Sequence, residues 1–167
     1  LPDLIAFGTL TPALTEIRHQ IHQHPELSNR EEKTAALVAD YLRKLGLEVR
    51  TGVARHGVIA ILKGGQPGPV IAVRADMDAL PVTEQTNVPY ASKVRTTFLG
   101  QDVGVMHACG HDIHTAVQLG VASVLVAMKN ELPGIQTLLD PEGLTRVSPV
   151  VVDPAISQRR PAPSIVA

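Results

Sequence analysis

Three short β-rich runs, at residues 48–51, 57–63 and 70–74, are separated by turn residues such as Gly64-Gly65 and Pro67-Gly68 and stand between helical stripes. Runs of this kind read as neighbouring strands of one sheet. On the N-terminal side, Thr11-Pro12 reads as a helix start, with Leu14, Ile17 and Ile21 on one face and an end before Pro25. Ser28-Asn29-Arg30-Glu31 has capping-box spacing, and Ala35, Val38, Ala39, Leu42 and Leu45 continue as an apolar stripe as far as Gly46. From residue 112 to about 129 a third helix is predicted, its apolar side formed by Val117, Val121, Val124, Leu125 and Met128. Helices, strands and helix in this order, with no internal repeat, predict an α/β domain: a layered sheet with flanking helices.

Composition narrows the function classes. A chain of 167 residues, 44% hydrophobic and 19% charged, fits one soluble globular domain, and with aromatics at 2% and no Trp its core must rest on Val, Leu, Ile and Ala. A net charge of −1 without a Lys/Arg stripe argues against a nucleic-acid partner. No apolar run approaches the roughly 18 residues of a membrane span, and no basic-then-apolar leader follows Leu1, so no membrane association is expected. The single cysteine excludes an internal disulfide and favours a reducing compartment, with cytoplasmic localisation as the expectation.

Residues 107–114, His-Ala-Cys-Gly-His-Asp-Ile-His, hold that cysteine, three of the seven histidines and a carboxylate. Thiolate and imidazole are the usual ligands of a zinc-like ion, and Gly110 lets the backbone turn tightly enough for Cys109 and His111 to reach one cation. The cluster falls at the start of the third helix. His114 is a candidate for binding substrate or a second ion. A different reading makes Cys109 a redox-sensitive thiol at a helix N-terminus, although no resolving cysteine exists. His22 and His24, just before Pro25, read as a polar connection and are left out of the site.

Arg74-Ala75-Asp76-Met77-Asp78-Ala79-Leu80-Pro81 follows the strand-like run at 70–73, and ligands of open α/β sheets gather beyond the carboxyl ends of strands. Asp76 and Asp78, two apart, would point the same way on a continuing strand, toward a cation or the imidazole that binds it. Arg74 is read as balancing their charge.

Met106-His107-Ala108-Cys109-Gly110-His111-Asp112, the Arg74–Pro81 segment and His22-Gln23-His24-Pro25-Glu26-Leu27 together resemble the M20 metallopeptidase family. The nearest branch is that of amidohydrolases acting on N-acyl amino acids, hippurate and amino-acid conjugates of auxin. The resemblance covers roughly residues 17–134. It implies a zinc-exopeptidase-like catalytic domain holding two divalent ions, Zn or Mn first and Co or Ni as alternatives. It also implies a small-molecule N-acyl amino acid or peptide-like substrate, and a smaller inserted domain through which the family usually dimerises. By the same resemblance Cys109 and His111 are metal ligands, and Asp76 and Asp78 are the acidic pair of the catalytic centre. A divalent ion polarises an amide carbonyl and acidifies water, and a carboxylate must move the proton. In the family that carboxylate is a Glu of a Gln-Pro-Ala-Glu-Glu segment, which this chain does not contain.

After Gly134 the chain departs from the family. A strand remains compatible with Ile135-Gln136-Thr137-Leu138-Leu139, and Glu142, after Pro141, is a candidate for the region of the missing base. The sequence therefore divides into 1–134, the N-terminal part of an M20-like catalytic domain, and 135–167, a divergent tail expected to be irregular because of Pro154, Pro161 and Pro163. No histidine follows His114 in these residues, and the family's dimerisation domain is expected to be missing. The expectation is a truncated metal-dependent amidohydrolase of marginal stability. The alternative is a non-catalytic metal-binding remnant that associates with a full-length relative through an uncovered sheet edge.

Overall fold

The computed structural model describes residues 4–139, and within them the chain is α/β. Two helices, α1 (Leu4–Gln23) and α2 (Glu32–Lys44), precede strands β1 (Glu48–Val53), β2 (Gly57–Lys63) and β3 (Gln66–Arg74). A small hairpin of β4 (Arg95–Phe98) and β5 (Gln101–Gly104) leads to α3 (His111–Ala127), and β6 (Pro133–Leu139) returns to the sheet. No helix among the described residues is long and apolar enough to cross a membrane.

The main sheet has the order β1-β2-β6-β3. β1 and β2 form an antiparallel pair, β2 and β6 are antiparallel, and β3 and β6 run parallel. The three β-rich runs thus share one sheet, but β3 does not lie beside β2. A parallel pair needs a crossover connection, and α3 provides it, bringing β6 back into the gap between them. The division expected after Gly134 consequently falls inside a central strand: residues 135–139 are strand rather than irregular tail, because their backbone pairs with β2 on one side and β3 on the other. Glu142 and the rest of the tail lie outside the described residues.

α2 forms where its apolar stripe predicts, and Ala35, Val38, Ala39 and Leu42 bury against Val58 and Ala60 of β2, Met77, and Leu119 and Ala122 of α3. Side chains buried this completely contribute roughly 1.5–3 kcal/mol each when as large as Val or Leu. The helix ends at Gly46 (φ +78°), whose N–H reaches the Arg43 carbonyl at 2.9 Å while that of Leu47 reaches Leu42 at 3.3 Å. This is a Schellman closure. The start differs from the expected capping box. The N-cap is Glu31, without a side-chain cap bond of its own, and the carboxylate of Glu26 instead accepts the N–H groups of Lys33 (3.1 Å) and Thr34 (2.8 Å). A residue outside the helix thus satisfies two of its free donors.

α1 also begins earlier than Thr11. Pro12 lies inside it, and the carbonyl that loses a donor belongs to Gly8, which is exposed and open to water. The β4–β5 hairpin has no counterpart in the sequence reading. Its turn, Leu99-Gly100, has φ of +49° and +77°, the two positive values of a tight hairpin turn, with an exposed leucine where Asn or Asp is usual.

Candidate metal-binding and catalytic site

Backbone bonds beyond the end of β3 tie the three conspicuous motifs together. The N–H of Ala79 donates to the Glu26 carbonyl at 2.8 Å, and Leu80 and Met106 exchange a pair of bonds, each 3.0 Å. Leu27 pairs in parallel with Ala79, and Leu80 pairs antiparallel with Met106. Leu27, Ala79 and Val105 are buried together beneath this junction, with Val94 and Phe98 packed on them. Residues far apart in sequence therefore share one framework at the start of α3.

Gly110 is the N-cap of α3 in the left-handed region (φ +79°), the conformation that turns the chain from Cys109 into the helix. His111 opens the helix. Its Nδ1–H donates to Asp78 Oδ1 at 2.8 Å and lies 3.0 Å from the Asp78 carbonyl, while its Nε2 is 4.0 Å from Asp76 Oδ2. Both aspartates thus face the same imidazole. Asp76 is also paired with Arg74 at 3.0 Å. Cys109 is exposed. The exposed His114 ring lies 5.4 Å from that of His111 and lines, with Arg74, Asp76, Val117 and Gln118, an open hollow of about 440 Å³.

An imidazole with one nitrogen held by a carboxylate matches the way divalent metals are bound, since the carboxylate fixes the tautomer and leaves the other nitrogen as donor, and Cys109 precedes it by two positions. The donor set fits part of such a centre. Among the described residues no group of three or more His, Cys, Asp or Glu side chains is arranged to hold a metal ion.

On the inner side of α3 lies a second group that the sequence reading left out. Asp112, 1% exposed, accepts from Arg18 Nε–H and His22 Nδ1–H through Oδ2, both at 2.8 Å. His22 Nε2 is 3.1 Å from Glu84 Oε1. Glu84 also accepts from the Ser92 N–H and the Thr86 hydroxyl. Burial pushes the Glu84 carboxyl up, but Thr86, Ser92 and His22 together outweigh it and hold the group below its ordinary value. The Tyr90 ring stacks on His19 at 3.7 Å, meets His22 edge-on at 5.6 Å and lies under the Arg18 guanidinium. His107, 4% exposed, sits beside this group with both ring nitrogens unpartnered, and burial pushes its imidazole down to about 4 against a weaker opposing pull from Asp112. His24 is exposed. The local signal for Asp112 was its place directly after His111, but nothing local links it to His22, ninety positions away.

Residues 72–139 match the model of peptidase family M20/M25/M40. This chain belongs to the M20 family. Similarity is also found to individual proteins: the thermostable carboxypeptidase 1 of Saccharolobus solfataricus is 48% identical over 122 residues, covering 72% of this chain and 29% of the relative. An N-acetyl-L-cysteine deacetylase of Bacillus subtilis is 43% identical over 138 residues, covering 82% of this chain and 31% of the relative. Among solved structures, the Bacillus subtilis YXEP protein, described as a dinuclear metal-binding peptidase of the M20 family, superposes with a TM-score of 0.72 at 42% identity over 80% of this chain and 35% of that one. The chain spans about three-tenths of the length of the curated relatives it matches. Its described residues form part of an M20 catalytic domain.

Proposed function

We propose that the described residues are the front portion of a metal-dependent amidohydrolase site that cleaves the amide bond of N-acyl amino acids or related conjugates. The observation that carries the reading is the Asp78–His111 pair, which leaves Nε2 of an imidazole 4.0 Å from a second carboxylate, two positions after an exposed cysteine. In this reading Cys109 and His111 are ligands of one of two divalent ions, a number that the dinuclear YXEP relative supports, with zinc or manganese before cobalt or nickel. When bound, a divalent ion supplies Lewis acidity toward the scissile carbonyl. Asp78 orients His111, Asp76 presents a carboxylate to the same space, and His114 faces substrate in the hollow beside them. The proton-transferring base and the remaining ligands come from outside the described residues. The M20 unit runs through β6 to Leu139, and the cytoplasm is its compartment.

The test is hydrolysis of N-acetyl and N-benzoyl amino acids by the purified chain supplied with Mn²⁺ or Zn²⁺, beside Cys109→Ala. Turnover that vanishes in the variant supports the reading, and turnover that persists in it excludes Cys109 as a ligand. The absence of a three-donor group among the described residues favours a second reading, a non-catalytic metal-binding unit that works with a full-length relative. Metal uptake without turnover, with turnover appearing only when a relative is added, would select it.

A further inference from the structure

The first turn of α3 carries His111, yet its N-cap is a glycine with no side chain to hold the free N–H groups. Asp112, in the same turn, is instead tied to α1 through Oδ2 of its carboxylate, while its buried Oδ1 has no hydrogen-bond partner. Of that carboxylate's two donors, Arg18 is 23% exposed on its side chain and His22 only 6%. His22 in turn is held from its far side by Glu84, itself fixed by Ser92 and Thr86. Carboxylate oxygens only accept hydrogen bonds, so both contacts of this buried ring are made when both ring nitrogens donate. The group formed by Arg18, His22, Asp112 and Glu84 sets two basic side chains against two carboxylates, which offsets the cost of keeping them from water although Asp112 Oδ1 stays unpartnered.

We propose that His22 is a positioning residue for the Cys109-Gly110-His111 turn, acting through Asp112 to fix the start of α3. The proposal rests on the reading of that turn as a metal site. Its physical content is a chain of contacts, Glu84 to His22 to Asp112 to the helix start, that joins α1, the segment between β3 and β4, and the turn.

Two substitutions separate this role from general stabilisation. Asn at position 22 places its amide nitrogen near the site of Nδ1 and keeps the donor to Asp112; Gln places its nitrogen near Nε2 and keeps only the contact to Glu84. In the metal-free chain, His22→Gln is expected to speed hydrogen exchange at the Gly110, Ile113 and His114 amides by about tenfold relative to Leu119, and His22→Asn to leave them within about threefold of wild type. Equal behaviour of the two variants, or protection lost evenly along α3, would overturn the proposal. The unaltered chain gives a check that needs no variant: an Nδ1–H resonance of His22 protected from solvent is expected, and a freely exchanging one overturns the role. A Co²⁺ titration, followed by thiolate-to-cobalt absorption with Cys109→Ala as blank, is expected to show affinity about tenfold weaker in His22→Gln and little changed in His22→Asn. Absence of the absorption in the unaltered chain would defeat the metal reading alone, and the exchange data would still judge His22.

Discussion

The two sides of the first turn of α3 are built from the same residue types and behave as opposites. On the inner side Asp112, His22 and Glu84 are sealed from water, and most of their polar atoms face a partner. On the outer side Asp76, Asp78, His111 and His114 are open to solvent to differing degrees, and Nε2 of His111 has no close partner. Carboxylate and imidazole therefore serve two ends here. Closed into a buried, mutually bonded group they hold a backbone in place, and left with one unsaturated donor atom at a surface they are ready to bind. The contrast teaches that burial and pairing, rather than residue type, separate the supporting histidine from the binding one.

Substitutions on the two sides should consequently report in different currencies. The largest effect belongs to Asp112→Ala, which strands Arg18 and His22 without their shared acceptor; a loss of about 3–5 kcal/mol in urea unfolding is expected. A cost below about 1 kcal/mol would erase the distinction between the two sides. Next is the acid limb of stability. Because the folded value of His107 lies near 4 against an ordinary 6.5, the unfolded chain binds the extra proton between those limits. Stability from this residue is complete above pH 6.5 and declines as pH falls toward 4, by on the order of 3 kcal/mol at full effect. His107→Gln should flatten that slope, and parallel curves for the two proteins would show that the buried ring does not cause it.

On the outer side the order of effects reverses. Asp78→Asn should weaken Co²⁺ binding by about 10–100-fold through loss of the His111 orienting contact. Its folding cost should stay below about 1 kcal/mol, since the pair is partly solvated. The smallest folding effect is expected for Cys109→Ala, within about 0.5 kcal/mol, because the thiol is exposed, while cobalt absorption disappears altogether. A large folding defect in either variant would mean that the outer group supports the structure as the inner one does.

Much of this architecture was legible in local pattern. The α2 stripe followed from periodicity and the bounds of β2 from its β-rich run between turn residues; Asp76 and Asp78 approach one imidazole, but from beyond Arg74 where β3 ends, not from the continuing strand that their spacing of two assumed. What escaped notice depends on partners remote in sequence. The capping of α2 by Glu26 is a contact of carboxylate with backbone that no capping-box template contains. The hairpin at Leu99-Gly100 lacks the Asn-Gly or Asp-Gly signal, and its leucine takes a positive φ that nothing in its chemistry favours. His22 looked like part of a polar connection because the two carboxylates that bury it come from 62 and 90 positions away. The placement of β6 between β2 and β3 is likewise a property of the crossover, invisible in the strand's own residues.

That placement also sets an order on synthesis. As the chain leaves the ribosome, β1 and β2 can zip into a hairpin and β3 can extend, but the edges of β2 and β3 that will meet β6 stay unpaired until residues 133–139 have emerged. The sheet is thus completed by a late, long-range event, the kind of closure that slows folding and leaves a nascent chain with two adhesive edges. A nascent chain that has emerged only through Ala127 would have its helices made and its sheet in two pieces. Emergence of the seven residues of β6 lets them join.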